Sequence, residues 1–438
     1  MKKYTELLKE IIQIKSVSTD PKFKGEIDKA VEWLKNLFDK NKFKTEIFKG
    51  YDNPVVFANY VKDKKLPTCL IYGHYDVQPA DIKDGWDNDP FRLTEKDGKL
   101  YARGVADNKG QFLVHLYSII DLIKSRKLKY NIKFLIEGNE ETGSGGITKL
   151  IPDQKEKFTT DYIMISDGEM PYKPVITASF RGTFNLTVRY KTSKNNLHSG
   201  LYGGAVPNAS IELSKFVSKI YDDDYNTNIK DFYKDMKPIT KKELTDCKKM
   251  DKSKEELLSS LGIERYFLGK NKSFCSKVGF ISMLTVSGFK SGYIGEGYSN
   301  IVPNSAEVRF NFRLAAEQDP NEILEIFKEF VRKNTPKYVD YEIIEPEETV
   351  KPIKVDVKAP KQIEVIKLLK RVYKEDVLID YCGATLPIVV DFKKVLGIDP
   401  LLVSLANDDC NMHGVNENYD IGLIKKGLEF SRKFFSKS

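Results

Sequence analysis

The stretch Leu70–Pro79, LIYGHYDVQP, ends an apolar run with a histidine and places an aspartate two residues later. The 438-residue chain has only four histidines, so an imidazole at this position stands out. On extended backbone, His74 and Asp76 point to the same side. Such a pair is typical of a carboxylate that orients a metal-binding histidine, although a lone histidine after a strand is more often structural.

Short apolar runs elsewhere in the chain also end beside side chains that bind metals. IKFLIEGN precedes Glu140 and Glu141, YIMIS precedes Asp167, and LLVSL lies a short loop before His413. Because such runs alternate with helical patterns in the first third of the chain, we predict an α/β domain with a mostly parallel central sheet. Sites form at the carboxyl ends of parallel strands, so we expect these side chains, with His74, at one edge.

The pattern changes at about residue 176. ITASFRGTFNLTVRYKT and AEVRFNFRLA alternate like half-buried strands, and the helical pattern NASIELSKFVSKIY lies between them. This predicts an α+β domain inserted into the first domain. We expect the catalytic domain to cover 1–175 and 382–438 and the inserted domain to cover 176–381. The lysine-rich stretch 222–275 has no motif that we can assign.

Charge and composition argue against several classes of protein. The net charge is +8, but the lysines are spread along the chain among acidic residues, which argues against a nucleic-acid partner. No apolar run reaches membrane-spanning length, and the amino-terminal pattern indicates a surface helix and not a secretory signal. The five cysteines are scattered without a CxxC pair, which argues against a disulfide framework and favours a cytoplasmic location.

The joint occurrence of these residues points to metal chemistry. Asp107 adds a further carboxylate from ARGVADNKG, a loop before a helix, although alone it could cap that helix. Two histidines and several carboxylates are costly to bring together without a cation. Nitrogen and oxygen ligands without thiolate suit zinc first, then manganese or cobalt, and a bridging carboxylate would allow two ions. One of Glu140 and Glu141 could bind metal while the other serves as a general base.

Six motifs occur in an order that is familiar: GHYDVQP, ARGVADNKG, EGNEETGS, SDGE, LHSGLYGGAVPN and MHGVNENY. In order and spacing they resemble the dinuclear metallopeptidase family of carnosinase, cytosolic nonspecific dipeptidase, aminoacylase and succinyl-diaminopimelate desuccinylase. The resemblance covers nearly the whole chain and is strongest to the carnosinase and dipeptidase branch.

The resemblance implies a role for each residue of the predicted edge. The implied ligands are His74, Asp107 and Asp167 for one metal and Asp107, Glu141 and His413 for the other. Asp107 would therefore bridge the two ions. Glu140 would be the general base, and Asp76 would orient His74. The resemblance also implies a cis peptide bond between Asp107 and Asn108.

For the inserted domain, the resemblance implies a lid that forms a homodimer. His198 would reach the partner's active site and stabilise the oxyanion, and Asn300 would also act from the partner. Arg313 and Thr385 would bind the substrate carboxylate. His115, inside FLVHLYS, matches no motif position and is expected to be structural.

The sequence therefore predicts a metal-dependent dipeptidase that cleaves dipeptides with a free C-terminal carboxylate. Deacylation of N-acyl amino acids is the alternative within enzymes, since the same machinery would serve it. A metal-binding or regulatory protein without catalysis is the alternative outside enzymes. The presence of Glu140 argues against that last reading, because a binding protein has no use for a free base beside two metals.

Overall fold

The computed structural model describes residues 1–269, 272–346 and 348–436, which form two compact units. Unit 1 comprises Met1–Ala178, Val355–Asp380 and Leu386–Ser438. The inserted unit comprises Ser179–Lys354 and Tyr381–Thr385. Within the described residues, no helix is both long enough and apolar enough to cross a membrane.

The strands and helices follow the chain in this order. The strands are β1 (Lys44–Phe48), β2 (Val55–Tyr60), β3 (Thr68–His74), β4 (Thr94–Lys96), β5 (Lys99–Tyr101), β6 (Asn131–Glu137), β7 (Tyr162–Ile165), β8 (Glu169–Met170), β9 (Val175–Phe180), β10 (Gly182–Lys191), β11 (Leu197–His198), β12 (Met283–Ser291), β13 (Ile301–Val302), β14 (Ser305–Leu314), β15 (Asp340–Ile344), β16 (Ile353–Lys354), β17 (Leu378–Cys382), β18 (Leu401–Leu402), β19 (Ala406–Asn407) and β20 (Asn418–Asp420). The helices are α1 (Lys2–Ile12), α2 (Lys24–Lys40), α3 (Lys109–Lys124), α4 (Gly145–Asp153), α5 (Lys155–Phe158), α6 (Ser199–Tyr202), α7 (Ala209–Ser218), α8 (Lys241–Met250), α9 (Lys254–Leu261), α10 (Phe274–Phe280), α11 (Pro320–Asn334), α12 (Pro360–Tyr373), α13 (Pro387–Asp391) and α14 (Ile421–Phe435).

Unit 1 is built on a central sheet of six strands in the order β1-β2-β6-β3-β7-β18. Strands β6, β3, β7 and β18 are parallel neighbours, and only β2 runs against the others. Their residues are almost wholly buried, as expected for parallel strands covered on both faces. The predicted α/β class with a mostly parallel sheet is confirmed.

The inserted unit is an antiparallel sheet, in the order β12-β14-β10-β15, with helices on one face. Burial alternates along β10 and β14, so one face packs inward and the other is wet. The inward face packs against α7 and α11 in a core rich in phenylalanine. The predicted α+β class of the insertion is confirmed.

The boundary between the two units differs from the prediction. The sequence assigned 176–381 to the insertion and 382–438 to the catalytic domain, whereas the contacts place Val355–Asp380 in unit 1 and Tyr381–Thr385 in the inserted unit. Helix α12 explains the difference, because it packs along α14. The ammonium of Lys361 on α12 lies 4.5 Å from the ring centre of Tyr162 and 5.5 Å from that of Phe434.

Candidate metal centre

His74 is the last residue of β3 and is fully buried. Its Nε2 atom lies 3.0 Å from Oδ1 of Asp107 and 3.5 Å from Oδ2 of Asp167. Its Nδ1 atom faces Asp76, at 3.1 Å from the backbone carbonyl and 3.3 Å from the carboxylate. One ring nitrogen is therefore available to a metal, while the other is fixed by a carboxylate, as in many metal sites.

A second group of donor atoms meets on the other side of Asp107. Oδ2 of Asp107 lies 2.9 Å from Nε2 of His413, and that nitrogen lies 3.2 Å from Oε2 of Glu141. Each oxygen of Asp107 thus faces a different histidine. The two triads, His74–Asp107–Asp167 and Asp107–Glu141–His413, each keep their donor atoms within 4.8 Å of one another.

Asp76 has a wider role than the sequence indicated. Its carboxylate accepts hydrogen bonds from the backbone N–H groups of Glu140 (3.3 Å) and Glu141 (3.2 Å). These two glutamates form a short turn after β6. Gln78 orients Glu141 further, since its backbone and side-chain nitrogens both donate to that carboxylate. One buried aspartate therefore positions a histidine and the turn that carries both glutamates.

The charges of the site shift several pKa values strongly. Burial lowers the pKa of His74, but the carboxylates of Asp167 and its neighbours outweigh it and hold the pKa well above its usual range. Hydrogen bonds to Asp107 and Glu141 raise the pKa of His413 to about 10. Burial, together with nearby carboxylates, raises the pKa of Glu140 well above its usual range. The cluster thus carries more negative charge than its own histidines balance and favours added cations.

The ligand atoms of the two triads match the preferences of divalent metal ions. They offer two imidazole nitrogens and carboxylates, without a thiolate, and this combination suits zinc, manganese or cobalt. Asp107 can serve both triads because its two oxygens face different histidines. The residues present therefore fit two divalent cations that share one carboxylate.

The predicted residues of the lid lie in the inserted unit. His198 pairs with Ile301 in a two-stranded ladder, and the backbone N–H of Ser199 donates to the carbonyl of Asn300 at 3.0 Å. His198 and Asn300 therefore lie side by side. Both are exposed. Their predicted roles toward a partner subunit stay predictions.

Arg313 and Thr385 also meet in the inserted unit. Nη1 of Arg313 donates to Oγ1 of Thr385 at 2.9 Å, and this hydroxyl donates to the carbonyl of Arg181. The sequence reasoning missed Arg181, which is nearly buried and whose Nε donates to the carbonyl of Gly383. Burial, with a contribution from the nearby Arg313, lowers the pKa of Arg181 to about 10. Two guanidinium groups beside a hydroxyl would suit a carboxylate.

Three polar residues next to the ligands had no predicted side-chain role. Asn108 follows Asp107 through a cis peptide bond, as the resemblance implied, and its amide donates to Asp167 at 2.8 Å. Arg103 and Glu417 form a buried ion pair beside the loops that carry Asp107 and His413. All three lie inside the quoted motifs ARGVADNKG and MHGVNENY, and that position was the available signal.

Two curated dipeptidases resemble this chain over most of its length. A β-Ala-His dipeptidase from Rattus norvegicus is 27% identical over 392 residues, which cover 87% of this chain and 79% of the rat protein. A cysteinylglycine-S-conjugate dipeptidase from Corynebacterium striatum is 31% identical over 362 residues, covering 81% of this chain and 77% of that protein.

Solved structures share the fold over the whole chain. The crystal structure of an M20 family metallo-carboxypeptidase from Sulfolobus solfataricus has a TM-score of 0.89 and 29% identity, and the match covers 99% of both chains. The sequence model of peptidase family M20/M25/M40 matches residues 70–437, which include the five candidate ligands. The chain belongs to peptidase family M20/M25/M40.

Proposed function

We propose that this protein is a metal-dependent dipeptidase that hydrolyses the amide bond of dipeptides with a free C-terminal carboxylate. The observation that carries the proposal is the pair of ligand triads that share Asp107, with Glu140 held beside them by Asp76. The family assigns the chain to peptide-bond hydrolysis. Two similar proteins are dipeptidases, which favours this substrate class over N-acyl amino acids.

Two divalent cations would occupy the site, with zinc as the first choice and manganese or cobalt as alternatives. His74, Asp107 and Asp167 would hold one, and Asp107, Glu141 and His413 would hold the other. When bound, such ions polarise a carbonyl and lower the pKa of a neighbouring water.

The residues of the chain then divide the remaining work. Glu140 takes a proton from the attacking water and returns it to the leaving amine. Asp76 holds the backbone of Glu140 in place during both transfers. Arg313 and Thr385 bind the carboxylate of the substrate and set its register.

The proposal includes a homodimer in which His198 and Asn300 act on the partner's substrate. His198 is exposed, and its Nδ1 accepts only a local backbone hydrogen bond among those described, which leaves Nε2 for an oxyanion. The segments of the same chain that adjoin His198 and Asn300 in sequence present large apolar side chains to solvent. Leu201 is 74% exposed and Ile294 is 79% exposed. Exposed apolar surface of this kind favours burial against a second copy. The five cysteines are far apart in the sequence, without a CxxC pair, and this supports the cytoplasm as the proposed location.

The first experiment measures amino-acid release from a dipeptide panel. The protein is stripped of metal and then supplied with Zn²⁺ or Mn²⁺. We expect activity to disappear with the metal and to return with it. N-acetyl and N-succinyl amino acids test the deacylase alternative, and tripeptides test carboxypeptidase action, the activity named for the similar Sulfolobus protein. Metal uptake with cleavage of N-acyl amino acids alone would overturn the dipeptidase proposal.

Mixing two inactive variants tests the action of His198 on the partner. Glu140→Gln and His198→Ala are each expected to be inactive alone. After subunit exchange at equal amounts, half of the dimers are mixed, and each has one site with both residues intact. The mixture should therefore recover about a quarter of wild-type activity. A mixture that stays inactive, although mixed dimers form, would show that His198 acts within its own subunit, and a His198→Ala variant that is active alone would show that His198 has no catalytic role.

A further inference from the structure

A buried ion pair joins the loop that carries Asp107 to the segment that follows His413. The carboxylate of Glu417 is fully buried, and its Oε2 lies 2.8 Å from Nη1 of Arg103. Glu417 also accepts hydrogen bonds from the backbone N–H groups of Gly104 and Asp107, at 2.9 and 3.0 Å. The loop that presents Asp107 is therefore wrapped around one carboxylate.

Arg103 extends the same connection to the other ligand loop. Its Nη2 donates to the backbone carbonyls of His413 (3.2 Å) and Gly414 (3.0 Å). The guanidinium lies over the ring of Trp86, 5.3 Å from its centre, which limits its movement. One guanidinium thus contacts Glu417 with one arm and the backbone of His413 with the other.

His413 needs this support more than the other ligands do. Its side chain is 55% exposed, whereas the side chains of Asp107 and Glu141 are 6% and 2% exposed. Packing alone therefore fixes the ring of His413 least. Its loop also holds three non-glycine residues in the left-handed region, Asn411, His413 and Asn416, with φ values of 55°, 62° and 56°. Asparagine and histidine enter this region more readily than other residues with a side chain, but three such residues in one loop still depend on surrounding contacts that maintain them.

We propose that Arg103 and Glu417 are positioning residues for the metal position formed by Asp107, Glu141 and His413. Neither side chain offers an atom to the triads. They act by fixing the backbone of His413 relative to that of Asp107. The other metal position shares Asp107 but takes its remaining ligands from His74 and Asp167, whose partners are Asp76 and Asn108, so it depends less on this ion pair. This inference rests on the proposed function, which assigns divalent cations to the two triads.

The test measures metal binding and not only activity. Mn²⁺ is titrated into metal-free protein by calorimetry, and electron paramagnetic resonance then distinguishes a single ion from a spin-coupled pair. Wild type should bind two ions per chain. Arg103→Met should bind the first ion as wild type does and the second about 10–100-fold more weakly, because partners that orient ligands typically contribute that factor. The signal of the coupled pair should be lost at concentrations that saturate wild type.

Arg103→Lys is the conservative variant. Lysine keeps the charge and can pair with Glu417, but it cannot contact two loops through a planar fork. It should therefore restore stability while leaving the second ion weakly bound. Glu417→Gln combined with Arg103→Met removes both buried charges and keeps the test available if a single variant fails to fold, since an uncompensated buried charge is strongly destabilising.

Lys99→Met is the matched control. Lys99 pairs with Asp409, so this ion pair also joins the chain near residue 100 to the chain near residue 410, but it does not reach the backbone carbonyls of His413 and Gly414 that Arg103 holds. This variant should bind two ions with wild-type affinities. The proposal is overturned if the Arg103 variants bind both ions like wild type, or if they lose both ions by the same factor. A wild-type protein that binds two ions and cleaves no dipeptide would refute the proposed function alone.

Discussion

Replacing Asp76 with asparagine isolates the contribution of one buried charge to both halves of the site. The carboxylate contacts His74 through Nδ1 and accepts the backbone N–H groups of Glu140 and Glu141. Asparagine has nearly the same shape but only one acceptor oxygen. Its amide group would face one of the two N–H donors or the ring nitrogen, so at least one of the three contacts is lost.

The size of the effect follows from these contacts. A hydrogen bond to a charged group contributes about 1.5–3 kcal/mol, and a buried donor left without a partner costs about 1–3 kcal/mol. A loss of about 1.4–2.8 kcal/mol corresponds to a factor of about 10–100 in an equilibrium constant. This agrees with the factor of about 10–100 that is typical for partners that orient metal ligands. We therefore expect Asp76→Asn to weaken metal binding or kcat/KM by about 10–100-fold.

Two measurements check this expectation. Calorimetric titration gives the metal affinity, and initial rates with a dipeptide at saturating metal give kcat and KM. Asp81→Asn is the control, because Asp81 is an exposed aspartate that caps a short helix, and asparagine caps equally well. If Asp76→Asn matches the control in both measurements, the reasoning about its contacts is refuted.

Three further variants test other parts of the structure. Glu140→Gln should lower kcat by about 10²–10⁴-fold, the usual contribution of a general acid–base group, without changing the number of ions bound. Burial lowers the pKa of His115 to about 3, below an unfolded value of about 6.5. Below pH 6.5 the unfolded chain therefore binds a proton at His115 that the folded chain does not bind. The free energy of unfolding should fall by about 2 kcal/mol between pH 6.5 and 5 for this reason. In denaturant titrations, His115→Gln should lack this loss. Lys361→Met should lower the free energy of unfolding by about 1–2 kcal/mol through lost cation–π contacts, whereas the exposed Lys367→Met on the same helix should change it little.

Each of these expectations has a contrary outcome. Full activity of Glu140→Gln would show that another group moves the proton. An unchanged pH dependence in His115→Gln would mean that His115 titrates alike in the folded and unfolded states. Equal stabilities of the two lysine variants would mean that the aromatic rings around Lys361 add nothing beyond ordinary packing.

The sequence was most informative about candidate ligands that lie at the ends of the strands of the central sheet. His74 ends a parallel strand, and Glu141 and Asp167 follow two of its neighbours, so their convergence could be predicted from the ends of apolar runs. His413 is different, since β18 is only two residues long and β19 intervenes before the histidine. Its placement could be inferred from the motif but not from the strand pattern.

Contacts between distant parts of the chain could not be predicted in this way. The ion pair of Arg103 with Glu417 joins residues 314 positions apart and leaves no periodic signal. The bonds from Asp76 to the turn at Glu140 depend on how β3 and β6 are paired. The segment Val355–Asp380 was assigned to the wrong unit for the same reason, because an amphipathic helix does not reveal which core it packs against.

The division of unit 1 into three stretches determines the order in which the protein can be completed during synthesis. The first stretch contains His74, Asp107 and Asp167, so one ligand triad is present before the ribosome has made the inserted unit. The other triad is completed only when the last stretch has been made, because that stretch supplies His413. The same stretch supplies β18, which pairs with the edge of β7. Until then the nascent chain carries an unpaired strand edge and four of the five candidate ligands, with His413 still missing. During synthesis, the exposed edge of β7 is therefore the part of the sheet that must be protected from aggregation for the longest time. It lies beside Asp167, a ligand of the triad that is complete first.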